Sequence, residues 1–273
     1  METTLLIFFL YIAIGLLAGI IGGLLGIGGG VITVPCFFII FKWLGYPHAY
    51  LMPLAVGTSL AAMVFTSSSA SWAHHYKKVV NWETFNKMVP GLFIGSIFGS
   101  VLSVWLPEIA LEIFFGLFLC TLSTIFFREE LPHFGISEHN GLFIIRAASF
   151  FIGTLSNILG IGGGILTIPL LLAGKTPDKI AIGTSSAVTL LVSTLGTISY
   201  VLFGLKHHLS SENIGYVNIP AFLTVGFITF FTAPLGVKLT HQLSHTITRK
   251  IFAVVLIFTG LTFIILNLLH FFA

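Results

Sequence analysis

Charge is what this sequence has least of. Only 8% of its 273 residues are Asp, Glu, Lys or Arg, while 56% are hydrophobic, against a charged fraction of roughly a quarter in soluble domains. The scarcity excludes a solvated globular surface, and the recurrence of uncharged runs along the whole length excludes a single membrane anchor. No lysine or arginine cluster exceeds two residues, which excludes nucleic acid as a partner. The two cysteines, Cys36 and Cys120, both lie within apolar runs and read as packing residues, not as a disulfide or a metal pair. No His-Glu-x-x-His, no Gly-x-Ser-x-Gly and no paired intramembrane aspartate occurs, so a membrane enzyme is disfavoured. All nine acidic residues (Glu2, Glu83, Glu108, Glu112, Glu129, Glu130, Glu138, Asp178, Glu212) fall in loops or at the ends of apolar runs. A cation site at mid-membrane would want a carboxylate there.

What the sequence does have is a repeated glycine-rich break. Leu25-Gly26-Ile27-Gly28-Gly29-Gly30-Val31-Ile32-Thr33-Val34-Pro35 recurs as Leu159-Gly160-Ile161-Gly162-Gly163-Gly164-Ile165-Leu166-Thr167-Ile168-Pro169, with every glycine, the threonine and the proline kept. Such a match signals internal duplication, and interrupted apolar segments at corresponding places in two halves point to a transporter's binding site. Close helix packing through small residues is the plainer explanation of the glycines, but packing alone does not require the Thr-x-Pro to recur behind them.

Apolar runs predict segments at 4–25, 31–44, 51–73, 85–105 and 109–127, then a polar linker at 128–141, then segments at 142–159, 165–173, 180–203, 217–239 and 251–272. The expected fold is an all-α polytopic membrane protein of two inverted five-segment repeats, residues 1–127 and 142–273, about ten transmembrane segments with broken helices; an odd number per half makes the halves antiparallel. With no basic region or cleavage site ahead of it, the first run reads as a retained span. If all ten segments cross, one side receives Lys77, Lys78, Lys87, Arg128, Arg146, Lys175, Lys179, Lys238, Arg249 and Lys250, and the other only Lys42 and Lys206. If the short second and seventh segments did not cross, the split would be even. The positive-inside rule therefore places the linker in the cytoplasm and both termini outside. Trp43, Trp72, Trp82 and Trp105 fall near segment ends, as aromatic belts do.

Residues 142–174 are too few for two full crossings. The expectation is that Gly160 to Gly164 runs extended at about 3.3 Å per residue, with Thr33 and Thr167 as N-caps of short helices and Pro35 and Pro169 in their first turns. Backbone amides, two helix N-termini and neutral hydroxyls would make an electropositive cradle for an anion. A second duplicated element, Gly57-Thr58-Ser59 and Gly183-Thr184-Ser185, opens the third segment of each half. The candidate substrate-binding residues are thus Gly28, Gly29, Gly30, Thr33, Thr58, Ser59, Gly162, Gly163, Gly164, Thr167, Thr184 and Ser185. Hydroxyls downstream of these motifs serve equally well as bonds to their own helix. His74-His75 and His207-His208 read as surface-facing interface residues, since adjacent histidines point apart and lack metal-ligand spacing. No metal or cofactor is expected.

The doubled Leu-Gly-Ile-Gly-Gly-Gly-x-x-Thr-x-Pro, the downstream Gly-Thr-Ser and the stretch Val80-Asn81-Trp82 together resemble the sulfite exporter TauE/SafE family over essentially the whole chain. The resemblance implies a bacterial inner-membrane transporter of sulfite, a small organosulfonate or a related anion, driven by the proton motive force. The expected function is secondary transport by alternating access between two rocking repeats. The rivals are an anion-selective channel, which shares the electropositive lining but needs a continuous pore, and a carrier of a non-sulfur anion. Membrane lipid and the small anion are the expected partners, with homo-oligomerisation left open.

Overall fold

The computed structural model describes residues 2–127, 141–207, 209–242 and 245–272. The linker expected at 128–141 lies outside them but for Gly141, as does His208. The chain is almost entirely helical: α1 (Glu2–Leu25), α2 (Gly30–Trp43), a 3-10 turn (His48–Tyr50), α3 (Leu51–Tyr76), α4 (Trp82–Trp105), α5 (Glu108–Phe127), α6 (Gly141–Leu159), α7 (Gly164–Ala173), α8 (Asp178–Gly204), a two-residue hairpin of β1 (Asn213–Ile214) and β2 (Val217–Asn218), α9 (Ile219–Gln242) and α10 (His245–Phe272). Among the described residues, six stretches are long and apolar enough to cross a membrane: Leu5–Leu25, His48–Tyr76, Trp82–Trp105, Gly141–Leu159, Asp178–Gly204 and Ile219–Thr240. This is a multi-pass membrane protein.

Local chemistry sets the ends. The N–H of Ile27 bonds the Gly22 carbonyl at 3.2 Å and that of Ile161 bonds Ser156 at 3.1 Å, each around a left-handed glycine, Gly26 or Gly160. This is the Schellman closure, which only a residue free of a Cβ adopts without strain. α4 and α9 both begin on an asparagine: Asn81 Oδ1 accepts from the N–H of Thr84 at 3.0 Å and Asn218 Oδ1 from Ala221 at 3.1 Å. That cap makes α9 begin two residues later than the apolar run at Val217 predicts.

Glycines set the closest helix approaches. Gly91, Gly95 and Gly99 of α4 abut the backbone of Arg146, Phe150 and Thr154 on α6, so the two run parallel. α1 and α9 pair the same way, Gly15 meeting Ile228 and Gly23 meeting Ala233. α3 and α8 run antiparallel, with Gly57 beside Tyr200 and Leu60 beside Gly196. α5 and α10 do too, the rings of Phe115 and Phe263 meeting at a tilt with centroids 4.7 Å apart while Ser123 Oγ donates to the Ala253 carbonyl at 2.8 Å. At one end of the bundle Tyr50, His207 and Tyr216 cluster, their ring centroids 5.0 to 6.1 Å apart. At the other, Val79 lies on Gly183, and Thr84 and Lys87 share a cleft with Gly141 and Gly174. The four tryptophans are all exposed. His74 is not: it is fully buried on α3, correcting the expectation of a surface residue, because Ala70 and Ala73 of the same helix pack onto Ala233 and Val237 of α9. His75 keeps to the surface, accepting a bond from Trp82 Nε1 at 3.1 Å.

Candidate functional site

The two glycine breaks meet between α3 and α8. Each is four residues long, 26–29 and 160–163, and each holds three positive φ angles: 68°, 76° and 85° at Gly26, Gly28 and Gly29, and 69°, 72° and 82° at Gly160, Gly162 and Gly163. They are left-handed turns and not the extended strands expected, because consecutive left-handed glycines reverse a chain whereas extension needs φ near −120°. Gly30 and Gly164 are already helical. The N-caps are Gly29 and Gly163, not Thr33 and Thr167. Both threonines sit a full turn inside, where the Thr167 hydroxyl donates to the Gly163 carbonyl at 2.9 Å and Thr33 Oγ1 reaches Gly29 at 3.4 Å. Pro35 and Pro169 accordingly fall in helix interiors, leaving a carbonyl one turn earlier without its usual donor.

The loops close directly on one another. A β-carbon on Gly30 would overlap the Gly160 carbonyl oxygen, and one on Gly164 the Gly26 oxygen. Gly28 and Gly162 both face the pair formed by Met63 of α3 and Thr189 of α8: the β-position of each lies 2.7 Å from Thr189 Cγ2 and 3.1 Å from Met63 Sδ. These two residues mark the centre. Neither stood out in the sequence, since one methionine and one of many threonines carry no pattern.

Each Gly-Thr-Ser copy reaches across to the opposite half. Gly57 lets the Tyr216 carbonyl approach and Gly183 that of Val79. Thr58 Oγ1 accepts from the N–H of Asn218 at 2.9 Å, and Thr184 Oγ1 from Asn81 at 2.9 Å. Ser59 donates to the Gly160 carbonyl at 3.2 Å and lies 2.7 Å from Thr33 Oγ1; Ser185 lies 3.1 Å from the Gly26 carbonyl and Thr189 Oγ1 3.3 Å from it. The structure thus brings Gly28, Gly29, Gly30, Thr33, Ser59, Gly162, Gly163, Gly164, Thr167 and Ser185 onto the two crossing loops. Thr58 and Thr184 point away from the crossing and fasten the starts of α9 and α4. Asn218 was missed, although Val217-Asn218 repeats Val80-Asn81 and could have been found by aligning the halves.

All twelve residues are buried, and none is ionisable. What polarity the site has comes from two helix N-termini, each carrying about half a positive charge at the first turn's N–H groups. A separate polar cluster sits where the α2–α3 connection meets α5: His48 Nε2 lies 3.8 Å from Glu112 Oε1, Glu108 Oε1 accepts from the N–H of Met52 at 2.5 Å, and the three side chains offer ligand atoms within 4.8 Å of one another. Glu112 is buried on the second turn of α5; sequence reading placed it at a segment end and foresaw no cluster. Cys36 and Cys120 are free and half-buried.

Comparison with known proteins gives the same picture over most of the chain. The sulfite exporter TauE/SafE family model matches residues 11–263. A probable membrane transporter protein of Methanocaldococcus jannaschii is 32% identical over 262 residues, covering 94% of this chain and 95% of that one. One from Haemophilus influenzae is 30% identical, covering 91% and 94%. A sulfite exporter TauE/SafE family protein of Arabidopsis thaliana is 33% identical over 96 residues, 35% of this chain and 19% of that one. No solved structure matches.

Proposed function

The chain belongs to the sulfite exporter TauE/SafE family, a family of membrane transporters, and from that premise we propose that it moves a small sulfur oxyanion, sulfite or an organosulfonate, by alternating access. The observation that carries this reading is the crossing of the two glycine breaks between α3 and α8. Two short helices begin there from opposite ends of the bundle, aiming their positive N-termini at one place. The direct contact of the loops speaks for a carrier with a closed centre over a channel, which needs a continuous pore.

The halves are related as inverted repeats on this reading. α3 and its counterpart α8 run antiparallel, as do α5 and α10, while α4 pairs with α6 as α9 pairs with α1. A twofold axis perpendicular to the helices produces that exchange. Ten passages are proposed, and the lysines support them: Lys77, Lys78, Lys87, Lys175, Lys179 and Lys238 stand at ends of helices that converge on the Val79–Gly183 end, and Lys42 and Lys206 at the opposite one. Lys77 is packed close enough to Lys238 and Lys179 that burial, and then these two ammonium groups, hold its pKa below the usual lysine value. We propose that this basic end faces the cytoplasm, with both termini and the Tyr50–His207–Tyr216 cluster on the periplasmic side of a bacterial inner membrane. Coupling to the proton motive force follows from the family resemblance.

Purified protein in vesicles should take up labelled sulfite saturably and in response to an imposed pH gradient. Uptake that rises linearly with concentration would identify a channel, and absence of uptake across sulfite, thiosulfate, sulfoacetate and taurine would dispose of the substrate class.

A further inference from the structure

Buried hydroxyls in these helices mostly bond their own helix one turn back, as Thr66 does to Ala62, Ser100 to Ser96, Ser149 to Ile145 and Thr189 to Ser185. The seam between α4, α6 and α8 departs from this. Among the described residues, the hydroxyls of Ser96, Thr154 and Ser156 have no hydrogen-bond partner, and neither does either side-chain atom of Asn157. Asn157, Ser96 and Ser156 are fully buried, and Thr154 is 7% exposed. Unpartnered polar groups at this depth cost stability and are rare in helices that need only to pack.

Ser96, Ser156 and Asn157 are neighbours, while Thr154, two residues before Ser156, faces the other side of α6. Ser96 lies against Gly153 of α6, and Ser156 and Asn157 follow one turn later. Room for the amide is made by Gly196 of α8, where a β-carbon would overlap Asn157 Oδ1. The periplasmic end of the seam is closed by Tyr200, whose hydroxyl donates to the Asn157 carbonyl at 2.9 Å and lies 2.7 Å from Ser103 Oγ. The glycine break flanks the seam, since Gly160 is three residues beyond Asn157 and the Gly163 β-position lies 3.6 Å from Ile152 Cγ2.

The other half has nothing comparable. Aligning Gly160 with Gly26 sets Gly23 opposite Asn157, Gly22 opposite Ser156 and Ile20 opposite Thr154, and aligning Asn218 with Asn81 sets Ala233 opposite Ser96. Duplication therefore does not explain the polarity.

We infer that this seam is an off-axis station for the transported oxyanion, held by the Asn157 amide and the hydroxyls of Ser96 and Ser156 beside the glycine crossing. Two amide hydrogens and two hydroxyl hydrogens suit an acceptor-only ligand with sulfur-bound oxygens. No carboxylate of α4, α6 or α8 lies near enough to serve a cation, Glu83 and Asp178 standing at the far starts of their helices. The inference rests on the transport reading above.

The test uses sulfite on the full-length purified protein. Ser96→Ala and Ser156→Ala each remove one hydroxyl without adding bulk, with Ser100→Ala, whose hydroxyl is already bonded, as the control. Loss of a hydrogen bond to a charged ligand should weaken sulfite binding about tenfold in the first two, with unfolding temperatures equal to or above wild type and Ser100→Ala unchanged. In protein carrying 15N-labelled asparagine amides, the Asn157 resonance, identified by its absence from Asn157→Asp, should shift saturably with sulfite. Alanine variants that are stabilised but bind sulfite like wild type, or an Asn157 signal that exchanges with water and ignores sulfite, would overturn the station. Wild type that transports sulfite in that case leaves the transport reading intact; wild type that neither binds nor moves it brings down both.

Discussion

The contact between the two glycine breaks can be tested by adding one methyl group at a time. Gly30→Ala and Gly164→Ala place a β-carbon on the opposite loop's carbonyl oxygen and 2.9 Å from the next α-carbon, Ile161 or Ile27. A β-carbon does not approach backbone closer than about 3.0 Å, so the loops must part. The obstacle is main chain, which has no rotamer to change, and overpacking of this kind costs about 3 kcal/mol at the upper end of its usual range. Parting the loops also disturbs the bond from Ser59 to Gly160 or those on Gly26. Gly163→Ala is the matched control. It carries the left-handed penalty of about 1 to 2 kcal/mol, but its β-position meets side-chain methyls, those of Val192, Val188 and Ile152 at 3.2, 3.4 and 3.6 Å. At roughly 2 to 4 °C per kcal/mol for a domain near this size, Gly30→Ala and Gly164→Ala should lower the unfolding temperature in detergent by about 10 °C, and Gly163→Ala by about half that or less. Sulfite uptake in vesicles should vanish in the first two and survive in the third. If Gly164→Ala melts no lower than Gly163→Ala and transports normally, the loops do not touch as described.

Thr58→Val and Thr184→Val keep shape but leave the N–H of Asn218 or Asn81 unpaired, which should cost about 1 to 3 kcal/mol; Thr→Ser at either position should restore stability, and equal melting of Val and Ser variants would discard the clamp. Lys78 holds φ at 57° where a helix end favours glycine, so Lys78→Gly should stabilise by about 1 kcal/mol in thermal unfolding, the opposite sign to most glycine substitutions. Single cysteines placed near Lys42 and near Lys175 should react with a membrane-impermeant thiol reagent from opposite faces of the membrane, and labelling of both from one face would remove the inverted arrangement.

The fold was legible where physics leaves a regular trace. Runs of apolar residues located ten helices to within a few residues, because a lipid-facing helix needs length and lacks charge. The duplicated glycines located the breaks, because nothing but glycine repeats three left-handed angles in four residues. Their geometry was not legible. Length alone suggested extension, but the same glycine freedom that permits an extended segment permits a reversal, and the Schellman bonds of Ile27 and Ile161 decide for the latter. The role of Thr58 and Thr184 was hidden for a different reason. Their partners, Asn218 and Asn81, lie 160 and 103 residues away, and only the second copy of Val-Asn hints at the pairing.

Two copies of one motif do not make two equal half-sites. At the centre, Met63 stands on α3 where α8 presents Thr189, so a threonine methyl enters from one side and a thioether from the other. Gly29 backs onto the Ala18 carbonyl, its β-position 2.6 Å away, whereas Gly163 backs onto valine side chains; α2 runs 14 residues and α7 only 10. The consequence is energetic. If the halves were identical, inward- and outward-facing states would be mirror arrangements of equal free energy, and a carrier would dwell in both alike. Each departure from equality adds a term of one sign, and differences of a few kcal/mol are enough to make one state a minor population. A first half stiffened against main chain and a second half with side-chain contacts behind its glycine and unpaired polar groups along α6 should yield unequally. On the proposed carrier reading, the residues that distinguish the copies therefore bear on the resting orientation, and those they share on the proposed anion site.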